Sequence, residues 1–466
     1  MAPEPSLRRP FRTRQARRVR RPLELWGGHE CTVNRVGDRW RDQTLLSGHQ
    51  DRIGDLDAFA SLGLKALRYP VLWERVEVER GVFDWTWTDA RMARIRELGL
   101  RPIAGLVHHG SGPAWTDLLD PGFANGLGEF AARAAERYPW VTDWTPVNEP
   151  LTTARFSALY GHWHPHRCDE GDFWRALLNQ IEATHLAMDA IRDVIPGARL
   201  VQTEDFGCTW STPACAEQAR FENDRRLMTW DLLSGRVTEN HQLRPRLGRF
   251  GLSARLDALS AAPCPPDLIG LNHYVTSDRF LDDRLHRYPP HVHGGNGHLK
   301  YADVEAVRVL HDQPSGWTRS LELLWDRYHI PLAITECHLG CTVDEQRRWL
   351  GSAWSAALSA RSAGIPVEAV TVWALLGSHD WNSLLTREDG HYETGAFDVS
   401  TGDPGPTPLA RTIRRLARDG VPGPELGAGW WETDTRFEYP PCDPCGADAS
   451  FVPPNLASAN LIALPR

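Results

Sequence analysis

The feature that most constrains this chain is an alternation. From about residue 23 onward, short apolar and β-branched runs alternate with segments whose apolar residues recur at helical spacing. Eight strand-like runs fall at residues 23–31, 65–69, 102–107, 141–147, 199–203, 267–271, 332–335 and 367–375. Between them, Ile53, Leu56, Phe59 and Leu62 mark a helix that Gly63 stops, and residues 91–98 mark another that Gly99 stops. Residues 130–138, 173–195, 318–328, 344–363 and 407–418 read as further helices. Strands separated by helices cannot pair as tight hairpins, so the pattern predicts a parallel sheet.

Eight such units predict an α/β chain of the (β/α)8 TIM-barrel class, with a single catalytic domain over residues 23–420. The length of 466 residues suits one such barrel with insertions. A doubly wound open sheet would also alternate, but it would carry a Gly-rich phosphate turn after an early strand, and the chain has none there. Residues 1–22 are strongly basic, with arginines from Arg8 to Arg21 and no apolar stretch of an export signal, and read as a disordered arm. Residues 421–466 are rich in Pro and Gly and lack periodicity, as expected of a tail that wraps the barrel or serves as a linker. Residues 286–314 are rich in His, Gly and Pro and read as a long surface loop.

In such a barrel, function gathers at the C-terminal ends of the strands. Here those ends carry Arg68, His108-His109, Asn148-Glu149, Asn272-His273-Tyr274, Glu336 and His379-Asp380-Trp381. One polar strand end is ordinarily just solvated; six converging on one mouth form a site. Glu149 and Glu336 are a pair of carboxyl groups that only the closed barrel brings together. Cleavage of a glycosidic bond needs such a pair, one to attack an oxocarbenium-like centre and one to protonate the leaving oxygen. The attacking carboxylate must stay ionised, which Arg68 and Tyr274 favour at Glu336. The acid needs a raised pKa, which burial and a neighbouring negative charge supply at Glu149. Asn148 can bond a hydroxyl beside the reacting carbon. His109, Asp380 and Trp381 can hold other hydroxyls and a sugar face, with Asn272 and Trp373 beside them. Part of the tryptophan content, 20 residues, is expected to line this cleft and part to fill the core.

These motifs resemble glycoside hydrolase family 1. Its Asn-Glu-Pro segment matches Asn148-Glu149-Pro150, and its Ile-Thr-Glu segment matches Ile334-Thr335-Glu336. Its second-strand segment is echoed by Leu67-Arg68-Tyr69 through Trp73, its sixth by Gly270-Leu271-Asn272-His273-Tyr274, and its eighth by Trp373 through Trp381. The similarity covers roughly residues 23–420. The resemblance implies a retaining β-glycosidase with Glu149 as acid/base and Glu336 as nucleophile, acting on a small carbohydrate or glycoside. The family's first-strand hydroxyl grip is not present as such, and Glu30 is placed near it. Gly110 replaces a Trp after the third-strand His, Asp380 replaces a Glu, and Cys337-His338 follows the nucleophile. The alternative is a family-1-like barrel that binds a carbohydrate or nucleotide-sugar without efficient hydrolysis, accessory to deoxysugar metabolism and serving a protein partner there.

Other features exclude other classes. A net charge of -8 argues against a general nucleic-acid binder. No apolar run approaches the ~20 residues of a membrane span. Nine scattered Cys fit reduced thiols and a cytoplasmic chain. Cys442 and Cys445 form a C-x-x-C without two further ligands at zinc spacing, and His162, His164 and His166 lie around Pro165 in a loop. Neither a metal nor a cofactor is expected.

Overall fold

The computed structural model describes residues 22–311, 316–422 and 427–442, and the backbone of Ser450–Phe451. The arginines expected to form a basic arm lie outside the described residues, as does Cys445.

Eight parallel strands close into a barrel in sequence order: β1 (Glu24–Gly28), β2 (Ala66–Pro70), β3 (Arg101–His108), β4 (Asp143–Asn148), β5 (Arg199–Asp205), β6 (Leu268–His273), β7 (Leu332–Cys337) and β8 (Val367–Val372). Closure is completed where β1 pairs with both β2 and β8, Gly28 opposite Arg68 and Gly27 opposite Val372. All eight strands fall on the runs expected from the sequence.

The barrel interior is filled by Trp26, Ala66, Ile103, Val201, Leu268, Ala333 and Ala369, which pack on one another and come from seven different strands. A larger apolar cluster lies between the strands and the helices around them. The longest helix, Glu170–Val194, starts where the Asp169 carboxylate accepts from the Asp172 N–H and ends before Pro196. At the N-terminal strand ends, Arg101 and Arg199 both pair with the buried Asp143, and Arg199 also pairs with Glu368. That face ties the strands to one another; the opposite one carries the site.

Residues 286–314 depart from the surface loop expected of them. Strands His293–Gly295 and Lys300–Glu305 join Arg279–Asp282, Thr209–Ser211 and Ser450–Phe451 in a second, five-stranded sheet. Most of these partners are distant in sequence, so local composition carried no sign of the pairing. His291, His293 and His298 are not buried by it. Within the tail, residues 427–442 pack on the segment that follows strand Lys300–Glu305: the buried Arg436 donates to the carbonyls of Val307, Leu310 and His311.

Candidate active site

β4 ends at Asn148, and Glu149 follows in a left-handed conformation, φ 47°, before Pro150 opens a short helix. His109 after β3 and Asp380 after β8 are also left-handed, φ 55° and 57°. Non-glycine residues rarely adopt this conformation, and it is costly enough to persist only where the surroundings enforce it. Here it turns three side chains at the barrel mouth.

Glu336, on β7, is held from two sides. Arg68 Nη1 donates to Glu336 Oε1 at 2.7 Å, and the Tyr274 hydroxyl donates to Oε2. The second Arg68 nitrogen donates to Asn148 Oδ1 at 2.7 Å. Asn148 Oδ1 also accepts from the Thr203 hydroxyl at 2.7 Å. Glu149 accepts a 2.6 Å bond from Asn272 Nδ2, and Asn272 Oδ1 accepts in turn from the Thr335 hydroxyl at 2.7 Å.

The two glutamates sit in unequal surroundings. Burial pushes Glu149 well above the usual carboxylate range, and the charges of Glu336, Glu204 and Asp205 push it further. Burial also raises Glu336, but Arg68 and Tyr274 pull it back. Of the two, Glu149 therefore holds a proton more readily. His109 lies with Nε2 3.7 Å from Glu149, yet burial and Arg68 push its pKa down to about 3, so the contact is between a neutral ring and the carboxyl group.

Both glutamates line a cavity of about 730 Å³, together with Glu30, His109, Tyr274, Trp373 and Trp381. Arg68 and Asn148 line a smaller space with Trp373. Glu30 accepts from the Thr32 N–H at 2.9 Å and from the Trp373 indole at 3.3 Å. Asp380 is drawn elsewhere: its carboxylate pairs with the buried Arg41 and accepts from the His391 N–H. Gly110 has a steric reason, since a Cβ there would lie 2.8 Å from the Val33 carbonyl and 1.9 Å from Glu74 Oε1.

Two residues that shape the site gave little signal in the sequence. Glu204, on β5, accepts from the N–H groups of Leu151 and Thr152 and from the hydroxyls of Thr152 and Thr229. It thereby fixes the turn that presents Glu149. The acidic pair Glu204-Asp205 at a strand end was the available sign. Arg41, from the hairpin of Val33–Val36 and Arg39–Asp42, is the cation that occupies Asp380. Within the group His162, His164 and His166, His166 accepts from the Gly37 N–H at 2.8 Å and so fastens that hairpin, while His162 is exposed. Among the described residues, no group of His, Cys, Asp and Glu could hold a metal ion, and no helix is long and apolar enough to cross a membrane.

No protein-family model matches the chain. It is 22% identical over 423 residues to Beta-glucosidase 47 of Arabidopsis thaliana, covering 81% of this chain and 77% of the relative. It is 23% identical over 310 residues to a phospho-cellobiase of Klebsiella oxytoca, covering 61% of this chain and 64% of the relative. Among solved structures, the β-glucosidase of Thermotoga maritima in complex with deoxynojirimycin superposes with a TM-score of 0.67 at 17% identity, over 85% of this chain and 98% of that one. A family 1 β-glucosidase structure from the same organism gives 0.66 at 18% identity, over 80% and 88%. The chain is a (β/α)8 barrel that shares its fold with a family 1 β-glucosidase and is distantly similar in sequence to a β-glucosidase and a phospho-cellobiase.

Proposed function

We propose that the chain is a retaining β-glycosidase. Glu336 attacks the anomeric carbon and forms a glycosyl ester while Glu149 gives its proton to the leaving oxygen; Glu149, now a carboxylate, then takes a proton from the water that hydrolyses the ester. The observation that carries this reading is the asymmetry of the pair. Glu336 receives a guanidinium and a phenol, as a nucleophile requires, while Glu149 is buried with one amide donor, as an acid requires.

The names of the relatives direct the first substrate to an aryl β-glucoside, followed by a panel that includes deoxysugars. Wild-type protein is expected to turn over at least one of them. Glu149→Gln and Glu336→Gln are each expected to lose about 10³-fold or more in kcat with a substrate whose leaving group needs a proton. Unchanged rates in both variants would end the assignment. The non-hydrolysing alternative has less support, because none of His286, His291, His293 and His298 lines the cavity and both glutamates do.

A further inference from the structure

The cavity extends well past the two glutamates. Its volume lies within the roughly 300–1,000 Å³ of sites for drug-sized ligands. Val275, Leu339 and Trp430 also line it. Trp430 comes from the C-terminal segment, outside the eight strand–helix units.

This segment is firmly seated. Arg436 pins it to residues 307–311, and the Cys442 N–H donates to the Val309 carbonyl at 2.8 Å. Trp431 packs edge-on against Trp349, whose ring stacks with that of His273 beside Asn272. Trp430 itself is held by the Arg308 guanidinium, 4.1 Å from its ring centre. The charged groups that line this part of the cavity are paired: Arg308 with Glu305 and Glu438, Arg279 with Asp303, His338 with Glu393. Beside these pairs and the hydroxyls of Thr276 and Ser277, Val275, Leu339 and Trp430 offer a ligand an apolar and aromatic surface.

We propose that the C-terminal segment forms the outer wall of the site, with Trp430 as a specificity-determining residue that favours a flat, apolar leaving group. This rests on the glycosidase reading for the term leaving group, but its test does not depend on turnover.

The test is calorimetric binding of phenyl 1-thio-β-D-glucopyranoside and its methyl counterpart, neither of which needs to be hydrolysed. The wild type is expected to bind the phenyl compound about tenfold more tightly. Trp430→Ala is expected to bring that ratio close to one, and Trp430→Phe to keep most of it. A ratio unchanged in Trp430→Ala, an equal loss for both compounds, or no binding of either by the wild type would overturn the proposal. The glycosidase reading fails separately, by absence of turnover in the wild type.

Discussion

Arg68 on β2 donates a 2.7 Å hydrogen bond to Glu336 on β7, and the same guanidinium reaches Asn148, the residue before Glu149. One planar cation thus ties β7, which carries Glu336, to β4, which ends just before Glu149. A lysine has the charge but not the fork. Arg68→Lys is expected to lower kcat/KM by about 10²-fold. Because Arg68 pulls the Glu336 pKa down, Arg68→Met is expected to move the acid limb of the pH–rate profile to higher pH. An acid limb that stays in place would show that Arg68 does not tune Glu336.

Glu204 bears on the basic limb. Its charge contributes to the raised pKa of Glu149, so Glu204→Gln is expected to shift the basic limb of kcat/KM to lower pH. A profile of wild-type shape would contradict this role.

Glu204 also links stability to pH. Burial raises its pKa from 4.5 to about 7. A group raised in the fold stabilises it below the unfolded value and ceases to do so as pH climbs through the folded value. The wild-type Tm is therefore expected to fall between about pH 4.5 and 7 from this group. Thermal melts of Glu204→Gln should show a shallower decline across that window, and an identical decline would remove Glu204 from the linkage.

Behind the site, Arg327 donates to both oxygens of the buried Asp231, at 2.8 and 2.6 Å. Burial alone would raise the Asp231 pKa, but Arg327 and His241 together more than offset it and the carboxyl falls below its usual range. Arg327→Met removes the cation and leaves that buried carboxylate with only the Tyr328 hydroxyl and the His241 ring among these partners, and is expected to cost about 3 kcal/mol in urea unfolding. Pairing it with Asp231→Leu should recover much of the loss. A single variant as stable as the wild type would show that the pair carries no such cost.

The barrel and the two glutamates were legible because their signals are local: a period, a stop, a polar residue at a strand end. The remaining site residues depend on distant contacts. Arg41 meets Asp380 across 339 positions, so nothing near Asp380 showed that its carboxylate would be occupied. Arg41 itself sits on a four-residue strand, too short to show a pattern. Trp430 lies in an aperiodic tail whose place at the cavity is set by Arg436 and by the carbonyls it binds.

The central claim is that Glu336 forms a covalent bond to the sugar. Incubation with an activated 2-deoxy-2-fluoro-β-glucoside, which slows the second step more than the first, followed by mass spectrometry of the intact and digested protein, tests it directly. The account predicts a mass gain of one fluorosugar, located on the peptide that contains Glu336 and absent in Glu336→Gln. A label on another residue, or turnover of the reagent with inversion at the anomeric carbon, would contradict it.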